Sequence, residues 1–91
     1  MKIFKYELKV EDSCNISMPN GATILSLQVI DEKPYIYACV DESSKTIERT
    51  FLTFGTGHTL PFDNMIYSGM EYLGTYQLQG GALVFHVFEE L

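Results

Sequence analysis

The sequence predicts an all-β fold, a small antiparallel β-sandwich or barrel of about seven strands, with at most one short helix inside residues 59–71. Two observations carry that prediction. Short runs of β-branched and aromatic residues recur along the 91-residue chain, several of them in strict polar/apolar alternation. Between them stand compact turn signals, chiefly Pro19-Asn20-Gly21, Gly55-Thr56-Gly57-His58 and Gln79-Gly80-Gly81. Strands joined by short turns pair with their neighbours and fold into a sandwich or small barrel.

The first run, residues 2–10, sets Phe4, Tyr6, Leu8 and Val10 on one face and Lys5, Glu7 and Lys9 on the other, the pattern of a half-buried strand. After the polar break Glu11-Asp12-Ser13, residues 14–18 alternate again and stop at Pro19-Asn20-Gly21, where proline presets φ and Asn and Gly tolerate positive φ. Residues 22–30 and 34–41, separated by Asp31-Glu32-Lys33, form a hairpin whose two strands both read as central. Residues 46–54 form a further strand that runs into Gly55-Thr56-Gly57-His58. Residues 59–71 lack a clean period and read as a long loop. Two last strands, 72–78 and 82–88, join through Gln79-Gly80-Gly81, whose glycines supply the positive φ of a tight turn.

Length and the absence of any linker or repeat make residues 1–91 one domain. A core this small gains from oligomerisation, so a homo-oligomer is expected. Formal net charge is -6, and all six basic residues (Lys2, Lys5, Lys9, Lys33, Lys45, Arg49) lie in the first 49 positions. Because phosphate neutralisation dominates nucleic-acid affinity, this balance argues against a DNA or RNA polymer as partner. No apolar run approaches the roughly 20 residues of a membrane span, and the first ten residues do not form a signal-peptide core, so a cytosolic location without membrane contact is expected. Cys14 and Cys39, far apart in sequence, read as free thiols.

The candidate functional residues are Arg49, Gly55, Thr56, Gly57 and His58, as a ligand-binding set. Glycines expose backbone N–H groups that can form an anion-binding nest, and arginine is the preferred fork for phosphate or carboxylate. The bland readings are a glycine-dependent turn and a cross-strand ion pair between Arg49 and one of the many carboxylates. The loop is not a phosphate-binding P-loop, since the G-x-x-x-x-G-K-[ST] spacing is missing. His58 and His86 are the only imidazoles; His86 lies within an apolar strand and reads first as a satisfied core histidine. No nucleophile stands in a recognisable setting and no metal-ligand spacing occurs, so no catalytic residue, metal or cofactor is assigned. Tyr35, Tyr37, Tyr67, Tyr72 and Tyr76 can stack a ligand ring or fill an interface, though most strand tyrosines are simply half-buried.

Several segments together carry a resemblance: Lys5-Tyr6-Glu7-Leu8, residues 18–28 (MPNGATILSLQ), Val40-Asp41, Gly55-Thr56-Gly57-His58, Leu73-Gly74-Thr75 and residues 80–89 (GGALVFHVFE). With them the chain resembles a family of small uncharacterised domains encoded by bacteriophages and prophages, over nearly its whole length. It departs from that family where aromatic positions near Tyr37 and Phe85 are often tryptophan, a residue this chain lacks. The resemblance implies a phage or prophage accessory protein in the host bacterial cytoplasm, and it transfers no catalytic residue. By analogy, such proteins counter host antiviral signalling. The expected function is therefore a non-enzymatic protein that binds and sequesters a small phosphorylated or nucleotide-like ligand. The alternatives are an acidic interaction module that inhibits a host protein and a small hydrolase using His58.

Overall fold

Alternation gives each strand one apolar face, and in the computed structural model, which describes all of Met1–Leu91, those faces meet as two antiparallel sheets. The strands are β1 (Lys2–Glu7), β2 (Ser13–Pro19), β3 (Thr23–Ile30), β4 (Lys33–Val40), β5 (Thr46–Gly55), β6 (Met70–Leu78) and β7 (Leu83–Glu90). One sheet has the order β1-β4-β3 and the other β2-β5-β7-β6. No α-helix forms. The loop ends at Gly69, since Met70 and Glu71 already belong to β6; it holds one 3₁₀ turn, Met65–Tyr67, inside the predicted window, and a second, Gln79–Gly81, makes the turn between β6 and β7.

The core lies between the sheets. Ile36, Ala38 and Val40 of β4 face Cys14, Ile16 and Met18 of β2, Phe51 of β5, Val87 of β7 and Tyr76 and Leu78 of β6, all buried. Leu8 follows β1, keeps its phase by donating its N–H to Pro34 O at 3.0 Å, and is fully buried. Cys14 and Cys39 are free, on different sheets.

Two expectations are corrected. Val10 does not continue the buried face: it is 46% exposed, because β1 ends at Glu7 and the chain reverses, with Glu11 N–H donating back to Lys9 O. Only β4 of the first hairpin is central; β3 is an edge strand packed near β6 of the other sheet. The connection between them is tighter than Asp31-Glu32-Lys33. Ile30 pairs with Lys33, and Asp31 and Glu32 both take positive φ, the geometry of a type I′ hairpin turn built without glycine.

Two of the four edge strands, β3 and β6, carry a bulge. In β3 the register slips between Ile24 and Ser26, so Ile24 and Leu27 both turn inward while Leu25 is thrown out to 51% exposure. In β6 it slips between Tyr72 and Gly74. No helix of the chain is long and apolar enough to cross a membrane.

Leu8→Ala is expected to cost about 2–5 kcal/mol in urea denaturation, as deletion of a fully buried side chain does, and Val10→Ala less than about 0.5 kcal/mol. The Tyr76 hydroxyl is buried without a hydrogen-bond partner, and burial pushes its phenol above the usual tyrosine value. The neutral form is therefore favoured in the folded chain. Its contribution is complete below the unfolded value near 10 and is lost as pH rises through the raised folded value. Tyr76→Phe should be at least as stable as the parent at pH 7 and should lose less stability above about pH 10 in pH-dependent thermal melts.

Candidate functional site

Strand phase places the candidate site on the outer face of the four-stranded sheet, away from the core. Val87 and Glu89 of β7 point inward, so His86 and Phe88 point outward. Across the ladders Phe54 of β5 pairs with His86 and Thr75 of β6 pairs with His86, while Tyr72 of β6 pairs with Phe88. In a regular strand Tyr72 and Thr75 would lie on opposite faces. The bulge at Leu73 re-phases β6 so that both flank β7 on the same side, and their hydroxyls share a hydrogen bond.

His86 is held at both ring nitrogens. Its Nε2 lies 2.6 Å from Thr56 Oγ1 and its Nδ1 lies 2.8 Å from Thr75 Oγ1. Thr56, His86, Thr75 and Tyr72 thus form a continuous polar row. Proton counting shows how adaptable it is. With neutral His86 protonated on Nδ1, the ring donates to Thr75 and Thr56 must donate to Nε2. With the proton on Nε2, Thr56 accepts from the ring and its own hydrogen is free for a ligand.

The loop Gly55-Thr56-Gly57-His58 makes the rim. Thr56 N–H donates to Val84 O at 3.3 Å and His58 N–H to Gly55 O at 3.1 Å, so two of the three amides expected to form an anion nest are already spent. Gly57 sits at φ +87 at the exposed tip of the turn. Gly55 serves a different need: a Cβ there would fall 3.0 Å from Cε1 of His58, so the imidazole packs directly on the bare Cα of Gly55.

Beyond His58 the chain folds back across the sheet. Phe62 stacks edge-on to Phe88 with centroids 6.0 Å apart, Phe54 lies 5.7 Å and Tyr72 5.4 Å from the same ring, and Phe88 is buried although it is on the outer face. Between these rings and the polar row lies a cleft of about 310 Å³, walled by Phe54, Leu60, Tyr72 and Phe88 and edged by Thr56, Thr75, His58 and His86. No lysine or arginine lines it.

Arg49 is elsewhere. It shares the inward phase of Phe51, and its guanidinium grips Glu89 through Nε (2.5 Å) and Nη2 (2.7 Å) while Nη1 donates to Ala22 O at 2.5 Å. The hydrogen bonds to Glu89 hold its pKa above the ordinary arginine value, against the opposing effect of burial. Three of its five N–H donors serve the fold, tying β5 and β7 to the start of β3. The five predicted site residues therefore separate: Gly55, Thr56, Gly57 and His58 border one cleft, and Arg49 does not join them.

Thr75, Phe54 and Phe88 also line the cleft and were not singled out from sequence, while Tyr72 was named only among tyrosines able to stack a ring or fill an interface, and His86 was read first as a core histidine. His86 is not a core histidine; it is half-buried on the outer face, satisfied by two threonines. One sequence signal bears on it: residues 83–88 are apolar in both phases apart from His86, which means that both faces of β7 are covered.

The chain belongs to the domain family DUF7352, a domain of unknown function, whose match spans residues 1–91. No curated protein and no solved structure matches it.

Arg49→Ala should destabilise the fold by about 3–5 kcal/mol, because it strands the Glu89 carboxylate in the interior. The double variant Arg49→Ala/Glu89→Ala should recover part of that loss. Thr56→Val should cost under about 1.5 kcal/mol, the scale of one exposed hydrogen bond. Chemical denaturation of the four proteins checks the order.

Proposed function

We propose that this DUF7352 domain is a non-enzymatic binding protein that holds a small, ring-bearing, nucleotide-like ligand in the outer-face cleft. The observation that carries the reading is the pairing, in one cleft, of aromatic walls with a fixed row of hydroxyl and imidazole groups. A planar ring gains stacking and apolar burial against Phe54, Tyr72 and Phe88. Its polar edge meets Thr56, which donates or accepts according to where the His86 ring proton sits. A volume of about 310 Å³ falls at the lower end of small-molecule sites, enough for a base and part of a sugar.

The chemistry favours recognition of the ring over recognition of a phosphate. Arg49 is committed to Glu89, and the glycine loop offers Gly57 N–H in place of a full nest. A phosphoryl group on the ligand would lie toward His58 and solvent, with the imidazole as its one neighbouring base. His58 makes no side-chain hydrogen bond within the protein, which leaves it available to such a group. The same isolation weakens the hydrolase alternative, since a general base needs a nucleophile or water positioned by a partner. The phage or prophage setting rests on the resemblance of the sequence segments. In that setting a binder of this kind would withdraw a host signalling molecule.

Native mass spectrometry of the protein purified from its host tests the proposal. The expected spectrum contains the chain plus a small organic molecule, and Thr56→Val should weaken retention by about tenfold, the effect of one good hydrogen bond, with His86→Ala weakening it as well by releasing the Thr56 hydroxyl from its fixed position. A bare 10.3 kDa chain, or retention indifferent to both substitutions, contradicts it.

A further inference from the structure

The loop of residues 59–69 ends in a built projection that the cleft does not use. Asn64 Oδ1 accepts the Ile66 N–H at 2.8 Å, capping the 3₁₀ turn Met65–Tyr67. At its other end Ser68 Oγ donates to Met65 O at 2.8 Å and accepts the Met70 N–H at 3.0 Å. Gly69, at φ +70, turns the chain into β6, and its carbonyl accepts the Leu91 N–H at 2.8 Å. What this scaffold holds in place faces water: Ile66 is 81% exposed, Tyr67 86%, Leu91 79% and Met65 44%.

Single exposed apolar residues need no explanation, but three consecutive large ones on a side-chain-capped turn, beside a fourth, form a patch of the kind that marks an interaction site. Its border is acidic on balance. Asp63 and Glu90 are exposed at its margins, and beside Leu91 the carboxylates of Glu48, Glu71 and Glu90 outnumber Arg49, whose charge Glu89 offsets. An apolar centre with a charged rim is the anatomy of a protein interface, and the rim sets the sign of the partner. The acidic rim opposes an anionic lipid surface, and with a net charge of -6 it also opposes a second copy of the same chain.

We propose that Met65, Ile66, Tyr67 and Leu91 form a docking knob for a partner protein that presents an apolar cleft bordered by lysine or arginine. Ile66 and Tyr67 enter the cleft, and Asp63 and Glu90 meet its basic border. The surface is independent of the ligand cleft, since none of these residues lines it.

The test replaces Tyr67, in the full chain, by the photo-crosslinking aromatic p-benzoylphenylalanine, which leaves the hydrogen bonds of Asn64 and Ser68 that hold the turn intact. The protein is irradiated in an extract of its native host, and the crosslinked partner peptide is sequenced. The expected crosslink falls on a partner protein next to an apolar cleft with lysine or arginine at its border. Its yield should drop about tenfold with Ile66→Asp and several-fold with Asp63→Lys/Glu90→Lys or at high salt, with thermal melts of the variants unchanged. Crosslinking to a second copy of the chain, sedimentation with phosphatidylcholine or phosphatidylglycerol vesicles, a partner without a basic border, no crosslink, or a yield indifferent to Ile66→Asp overturns the proposal.

Discussion

Arg49 and Glu89 both point into the sandwich, where a lone charge would cost several kcal/mol to desolvate, and the geometry meets that cost with three short hydrogen bonds. The guanidinium joins β5 to β7 through Glu89 and reaches across to the backbone at Ala22, just before β3. One residue thereby closes one end of the core and links the two sheets. It also fixes the electrostatics of the rest of the molecule. The single arginine is consumed, so the outer-face cleft works with imidazole, hydroxyl and aromatic groups and no permanent cation.

The cleft depends on a second constraint, the coverage of a face that would otherwise meet water. Phe54, Tyr72 and Phe88 crowd one side of the sheet, and the loop from Gly55 folds back until Phe62 packs on Phe88, which is buried while Tyr72 stays open on the cleft side. The fold-back is possible because Gly57 supplies a positive φ and Gly55 leaves room for the His58 ring. It is completed by the β6 bulge, which brings Tyr72 and Thr75 to the same side. Burial, turn chemistry and strand phase converge there on a concave, half-polar surface.

The strands were legible because alternation and turn residues are local signals: β2, β4 and β5 follow their patterns, and the glycine-rich turns fall where expected. What the sequence hid was phase and pairing. Val10 continues the alternation on paper, yet the chain turns at Val10 itself, and nothing in the residues marks that turn beyond the polar run after it. His86 could not be assigned to a face because its neighbours are apolar in both phases. Gly74, a lone glycine inside a strand, was the one visible hint of the bulge that creates the polar row. Arg49 illustrates the opposite limit: its ion pair was foreseeable in kind, but choosing Glu89 among twelve carboxylates required the sheet order.

The central claim is that the polar row and the aromatic walls, and not Arg49, form the ligand site. The most direct measurement is a heteronuclear NMR titration of the full chain with adenosine and, separately, with adenosine monophosphate. Both ligands should perturb the amides of Thr56, Gly57, Thr75 and His86, with affinities within about threefold of each other, because the phosphate meets no fixed cation. Perturbations centred on Ala22, Arg49 and Glu89, or a monophosphate bound more than about tenfold tighter than the nucleoside with strong salt dependence, would contradict it.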